Sequence, residues 1–294
     1  MGSKPALPGE LWQHRIVILM KTICTYLTIG AACLLLQSAY ATLLFEEGFN
    51  YPIGALGGNG AWLGGSTGLK VASGDLTYPG LADAANPGNE LTDTQGTSGS
   101  MTVPFSAANL TSGSVYYSFL AECTTLPTAN SYLTDLLPAG GSPNGSGDPL
   151  AVYVGQQVAG STFKVGVRHQ GIGSGATYAT SGQFTVGTVN LFVVKYTFGS
   201  GGSVSLFVNP TAGGSEPTPD VTVGPGGTEA ANLDLIGFKV NSGTSAGNWV
   251  FDTLRVGDAW ASVTPLVPEP SSAALTGLGL LGLAFWRRLS RPSR

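Results

Sequence analysis

The sequence predicts an all-β chain, a single two-sheet sandwich of about 225 residues held between two membrane-directed ends. Three observations carry that expectation. Residues 42–266 lack the 3.6-residue period of amphipathic helices, and a period of two recurs instead. The recurring runs are rich in Val, Phe, Tyr and Leu and are bounded by Gly, Pro, Asn and Ser, as strands are. No linker divides the region and no internal repeat is present, so the strands belong to one domain.

In order, the expected strands are residues 114–122 (SVYYSFLAE), 150–154 (LAVYV), 162–167 (TFKVGV), 191–198 (LFVVKYTF), 203–208 (SVSLFV), 233–240 (LDLIGFKV) and 249–256 (WVFDTLRV). The Gly-Ser-Gly-Gly between Phe198 and Ser203 marks a hairpin turn. Residues 138–149 and 209–219, dense in Gly and Pro, read as surface loops. Many short strands joined by turn-rich loops give a sandwich.

Both ends are of another kind. Met20-Lys21, the apolar run 23–36 and Ala39-Tyr40-Ala41 have the three regions of a secretory signal peptide, with the A-x-A site cut after Ala41. Residues 1–19 do not fit the front of such a signal and are read as an upstream extension, with the signal itself at 20–41. At the other end stand Val267-Pro268-Glu269-Pro270, an apolar stretch from Ala273 to Trp286, and then Arg287, Arg288, Arg291 and Arg294. Pro268 and Pro270 fix φ and lack amide donors, so the tetrapeptide stays extended and outside any helix. The apolar part is shorter than the roughly 20 residues of a comfortable span. The arginines hold it in the cytoplasmic direction.

Composition bounds the middle. Cys24 and Cys33 fall in the signal, so the mature chain keeps Cys123 alone and forms no internal disulfide. Residues 42–266 carry six bases against fifteen acids, a net of −9. That balance argues against nucleic acid as a partner and is compatible with calcium or neutral sugars.

The tail resembles the PEP-CTERM sorting signal of bacterial exported proteins, here residues 267–294, which an exosortase, an integral-membrane cysteine peptidase, recognises and processes. The resemblance implies Sec export, transient anchoring in the inner membrane by a transmembrane sorting helix, then release to the cell surface or extracellular matrix. A second resemblance covers about half of the middle. The order VNLFVVKYTF, GGSVSLFVNP, LDLIGFKV and FDTLRVGDAW is similar to the second half of a laminin-G-like, concanavalin A-like jelly roll. Asp252-Thr253-Leu254-Arg255 fits that family's late strand. The opening from Phe45 to Pro52, with Trp62 soon after, is similar to the start of such domains.

Catalytic patterns are thin, and no catalytic residue is expected. His169 is the single histidine left after signal removal, too few for a histidine-built site. Gly64-Gly65-Ser66-Thr67-Gly68 matches G-x-S-x-G but lacks the strand-to-helix context of a nucleophile elbow. Glu46 and Glu47 are adjacent and point to opposite faces of a strand, not toward one glycosidic bond. Cys123 reads as a small buried hydrophobe. For binding, Trp62 is the favoured glycan contact because it lies in a Gly-rich loop; Tyr78, Trp249 and Trp260 are core candidates first. Asn89, Glu90 and Asp93, with Asn86, come nearest to a calcium loop, without a recognised spacing. Asp252 and Arg255 are read as a structural ion pair or hairpin bond.

Three classes remain: a non-enzymatic structural protein of the extracellular polymer layer, a lectin-like module binding a polysaccharide of that layer, and a divergent glycosidase or lyase. The first is the primary expectation and the second its alternative. No cofactor is required, though calcium is allowed.

Overall fold

The computed structural model describes residues 41–267 apart from 85–87, 97–98, 106–109, 130, 144–148, 156–161, 170–176, 179–181, 225–229 and 241–246. The expected signal peptide and the apolar tail therefore lie outside the described residues, among which no helix is long and apolar enough to cross a membrane.

The strands are β1 (Leu43–Glu47), β2 (Gly54–Ala55), β3 (Leu63–Ser66), β4 (Leu69–Ala72), β5 (Glu90–Asp93), β6 (Gly99–Pro104), β7 (Ser114–Thr125), β8 (Ser131–Leu137) and β9 (Leu150–Gly155). They continue with β10 (Thr162–His169), β11 (Thr177–Tyr178), β12 (Phe184–Thr185), β13 (Val189–Thr197), β14 (Ser203–Val208), β15 (Val221–Val223), β16 (Leu235–Val240) and β17 (Asn248–Gly257). A helical turn, α1 (Trp260–Val263), follows. All seven expected strands are present, as β7, β9, β10, β13, β14, β16 and β17. The Gly199–Gly202 turn joins β13 to β14 as expected, closed by Gly202 N–H donating to Gly199 C=O at 2.7 Å.

Two antiparallel sheets face each other. The first runs β15-β14-β13-β7-β17-β5-β4-β2, with β1 also on β17; the second runs β11-β10-β9-β8-β16-β6-β3, with β12 on β10. The chain passes repeatedly from one sheet to the other, β6 to β7 to β8 and β15 to β16 to β17, which is the interleaving of a jelly-roll sandwich. The main core lies between the sheets. Phe238 of β16 meets Phe251 of β17 edge-on at 5.0 Å, Phe163 of β10 meets Trp249 of β17 at 5.2 Å, and Tyr117 bonds Thr134 across the gap at 3.0 Å.

A second apolar cluster sits outside the first sheet. Tyr116, Leu120, Leu191, Val193 and Phe207 point away from the main core and pack under Leu76, Leu81, Ala212, Trp260 and Val263. This roof is made of residues 73–84, residues 209–216, α1 and the stretch to Val267. Its backbone is tied together by Gly213 N–H to Thr264 C=O, Ala82 N–H to Pro265 C=O and Val267 N–H to Gly80 C=O. The consequence for β7 is burial on both faces from Val115 to Ala121. A strand covered on both sides reads as a continuous apolar run, as SVYYSFLAE does.

Candidate functional site

The expected sites are best judged where their side chains lie. Trp62, the favoured glycan contact, is 2 % exposed. Its ring stacks on Phe49 at 6.1 Å and 24°, meets Phe238 at 5.9 Å, and its Nε1 donates to Glu47 Oε2 at 3.0 Å. It is a core residue, and the expectation of sugar contact is corrected: the Gly-rich loop folds Trp62 inward because apolar area and an indole N–H partner both wait there. Trp249 is 1 % exposed. Trp260 packs in the roof against Phe207 and Tyr116. Tyr78 donates its hydroxyl to Pro210 C=O at 3.2 Å.

The three calcium candidates do not converge. Asn89 donates Nδ2 to Tyr51 C=O, while Glu90 and Asp93, three apart on β5, take opposite faces by the alternation of a strand. Burial pushes the Glu90 carboxyl up, helped by the nearby charges of Glu122 and Asp75. Asp93, 1 % exposed, is pushed up to about 7 by burial, against a hydrogen bond from Gln95. No group of three or more His, Cys, Asp or Glu positioned for a metal occurs among the described residues.

Asp252 and Arg255 are not bonded to each other, which corrects the expected ion pair or hairpin bond, though both have structural roles. A bulge at Thr253, whose φ is 50°, separates them. Asp252 accepts the amides of Leu76 and Thr253, and burial still pushes it up to about 7. Arg255, 1 % exposed, donates Nε to Glu46 Oε1 at 2.8 Å and Nη2 to Ala82 C=O at 2.7 Å. Both residues thus pin the roof to the sheet. Glu46 and Glu47 do point opposite ways. They line a cavity of about 410 Å³ with Phe45, Asn50 and Tyr51, where Glu46 Oε1 accepts from Arg255 Nε at 2.8 Å. Glu47 accepts from Phe49 N–H, the Tyr51 hydroxyl and Trp62 Nε1, so both of its oxygens serve the packing of β1 and Trp62.

Ser66 ends β3, and its Oγ accepts the N–H of Gly68 at 3.2 Å in a turn that leads to a strand, not a helix. His169 is buried, with Nδ1 on Gly224 C=O at 3.1 Å and its ring edge-on to Tyr196. Burial pushes the Cys123 thiol up to about 12, and its Sγ donates to Thr125 C=O, so it is inert as a nucleophile. At the termini, Ala41 is exposed directly before β1, and Thr42 N–H donates to Asp258 Oδ1 at 2.7 Å. Cleavage after Ala41 would place the new ammonium on that carboxylate. Val267 is the last described residue, and its N–H donates to Gly80 C=O at 3.1 Å; Pro268, Glu269, Pro270, Ala39 and the terminal arginines lie outside the described residues.

One surface was not anticipated. On the outer face of the second sheet, Tyr132 of β8 and Tyr153 of β9 are register partners whose rings meet edge-on at 5.9 Å. Lys239 Nζ of β16 lies 5.3 Å over the Tyr132 ring, and Arg168 Nη1 of β10 donates to the Tyr153 hydroxyl at 3.3 Å. All four are half-buried, and Lys164 shares the face two strand positions from Gly166. Between them lie small residues, Gly166, Ala151, Gly237 and Ser100, with the buried Asp135 between Ala151 and Gly237. A Cβ at Gly237 would stand 2.5 Å from Pro143 Cγ, so the glycine lets that loop rest on the sheet. Sequence reading had only a weak signal for this face. β8 was not recognised because the register shift between Tyr132 and Thr134 breaks its alternation.

Residues 266–288 match the family model described as the PEP-CTERM protein-sorting motif. Such a motif marks an exported, surface-sorted protein that is processed by an exosortase and anchored transiently in the membrane. No curated protein matches the sequence. Solved structures similar to the chain include the T. cruzi calreticulin globular domain, with 14 % identity, a TM-score of 0.46, and 85 % of this chain and 100 % of that one covered. An alginate lyase mutant in complex with alginate tetrasaccharide gives 15 % identity, a TM-score of 0.45, and coverage of 72 % and 95 %. The VIP36 exoplasmic/lumenal domain in its Ca2+/Man3GlcNAc-bound form gives 12 %, 0.37, and 72 % and 89 %. These are concanavalin A-like β-sandwiches. Likenesses this distant bring no site and no ligand to this chain.

Proposed function

We propose that this exported protein is a non-enzymatic component of the extracellular matrix that holds to its polysaccharide as a lectin-like module. The observation that carries the reading is the outer face of the second sheet, where the half-buried Tyr132 and Tyr153 stand beside Lys239 and Arg168. Half-exposed aromatic rings with polar neighbours suit a sugar, whose faces are apolar and whose rim is hydroxylated. Of the structural and lectin-like classes, this face favours the second. The carboxylates of the 410 Å³ cavity speak against hydrolysis there, because Glu46 and Glu47 are engaged in bonds that hold β1 and Trp62.

The test mixes the protein with extracellular polysaccharide from the producing cells, once with calcium and once with EDTA. The expected outcome is co-sedimentation with the polymer and no change in polymer length, in both conditions. A fall in polymer length makes the protein an enzyme. Loss of co-sedimentation in EDTA brings calcium into the site, and none in either condition leaves only the structural role. For sorting, Glu269→Ala should leave export intact and strand uncut protein in the inner membrane.

A further inference from the structure

We infer that the tyrosine face of the second sheet recognises a carboxylate-bearing polysaccharide, a polyuronate, and not a neutral one. The inference rests on the lectin-like reading above and adds the charge of the ligand. Its ground is how the ionisable residues divide between the two sheets. The strands of the first sheet carry Glu46, Glu47, Glu90, Asp93, Glu122 and Asp252 against Lys70, Lys195 and Arg255. The strands of the second carry Lys164, Arg168 and Lys239 against Asp135 alone, which lies on the same face, in register with Ala151 and Gly237, and is fully buried there. In a domain of net charge −9, the described strand residues of this outer face thus carry three cations against one buried acid, and the tyrosines stand among them.

The geometry suits alternating contacts along a sugar chain. Lys239 and Arg168 lie on β16 and β10, with β8 and β9 between, a reach of about 14 Å at the usual strand spacing. Across the strands the order is Lys239, Tyr132, Tyr153 and then Gly166, with Lys164 and Arg168 two residues to either side of it. A uronate presents a ring face to a tyrosine and a carboxylate at its edge to a lysine or arginine. The repulsion of the remaining acids should keep denser polyanions such as nucleic acid at a distance.

The experiment titrates the full-length protein, recovered in detergent with EDTA present, against polygalacturonate and against the same polymer after carboxyl reduction. Expected are binding to the polyuronate, at least a tenfold weaker response to the reduced polymer, and a similar loss for the Lys164→Gln/Lys239→Gln double variant. Its thermal midpoint should match wild type, so that lost binding is not lost folding. Equal binding of both polymers overturns this inference and leaves the lectin-like reading standing. Binding of neither removes both. Equal binding of single-stranded DNA also overturns it, since charge alone would then suffice.

Discussion

The sandwich has two outer faces, and they have opposite fates. Outside the first sheet, Tyr116, Leu120, Leu191, Val193 and Phe207 are sealed under a roof made of two loops, α1 and the last residues before the sorting motif. Outside the second, Tyr132, Tyr153, Lys164, Arg168 and Lys239 are half-buried, and the covering seen among the described residues is the loop that sets Pro143 on Gly237. The difference is written in side-chain size. Strands β7 and β13 are large and apolar on both faces and need covering, whereas the other face sets Gly166, Ala151, Gly237 and Ser100 around the buried Asp135. Contacts that stabilise the fold and contacts available to a ligand are therefore separated between the two faces.

The largest test of that separation is Trp260→Ala. Trp260 is 6 % exposed and meets Phe207 and Tyr116 edge-on at 4.9 and 6.3 Å, so its removal empties the middle of the roof. The expected loss is about 3–5 kcal/mol in chemical unfolding. A loss under about 1 kcal/mol would mean that the roof is dispensable and the two faces are alike.

Arg255→Ala comes next. It frees Ala82 C=O from the sheet and leaves Glu46, 21 % exposed at its side chain, without its cation. Removing one partner of a buried pair costs about 3–5 kcal/mol, and the partial exposure of Glu46 places this variant near the lower end. Arg255→Met, which keeps the packing, should recover part of the loss. If it recovers nothing, the bonds to Glu46 and Ala82 carry the whole effect.

How far this division was legible in the sequence can be traced strand by strand. The seven apolar runs were found because β-branched and aromatic residues between turn residues are a strong local signal. The same runs concealed the roof: a continuous SVYYSFLAE signals a strand, while the second covering layer comes from residues 73–84 and 209–216, which carry no period at all. The short strands β2 and β3, with sequences GA and LGGS, have no hydrophobic pattern to read. Trp62 misled because a tryptophan among glycines resembles an exposed platform, and the carboxylate that draws it inward, Glu47, lies 15 residues away. Tyr132, Tyr153, Arg168 and Lys239 are ordinary one by one. Pairing across four strands makes them a surface, and pairing is not local information.

A third test separates the inner core from the roofed face. Asp93 accepts Gln95 Nε2 through Oδ1 at 3.2 Å, while Asp93 Oδ2 and Gln95 Oε1 are buried without partners. One proton on Oδ2 can satisfy both, so the folded state favours the neutral acid, in line with its rise to about 7. The elements packed against β5 are β4 and β17. Their side chains on this face are Leu69, Val71, Trp249 and Phe251, and Lys70, Asp252 and Arg255 lie on the other. An acid whose folded pKa is raised contributes stability that is complete below its unfolded value, about 3.9, and lost as pH rises toward 7. The domain should therefore be more stable at pH 5 than at pH 8. Asp93→Asn supplies a donor at every pH and should gain about 1–3 kcal/mol at pH 8. A pH slope that Asp93→Asn leaves unchanged would assign it to the roofed acids Asp252 and Glu90 instead.

The smallest expected effect on stability is at the open face, and it closes the comparison. Tyr153→Ala removes one ring of an edge-on pair and the acceptor of the Arg168 bond. The ring is half-buried, its strand keeps its ladder to β8 and β10, and such a pair is worth about 0.5–1.5 kcal/mol. The thermal midpoint should fall by only a few degrees, against a far larger fall for Trp260→Ala. Retention on immobilised polysaccharide should show the reverse order: Tyr153→Ala weakened tenfold or more, and Trp260→Ala, assayed below its unfolding temperature, close to wild type. Two variants with opposite rankings in the two measurements are what a sealed face and a binding face require. If Tyr153→Ala destabilises as much as Trp260→Ala, the tyrosine pair is part of the core. If it binds like wild type, the second sheet's outer face is not where the polymer sits.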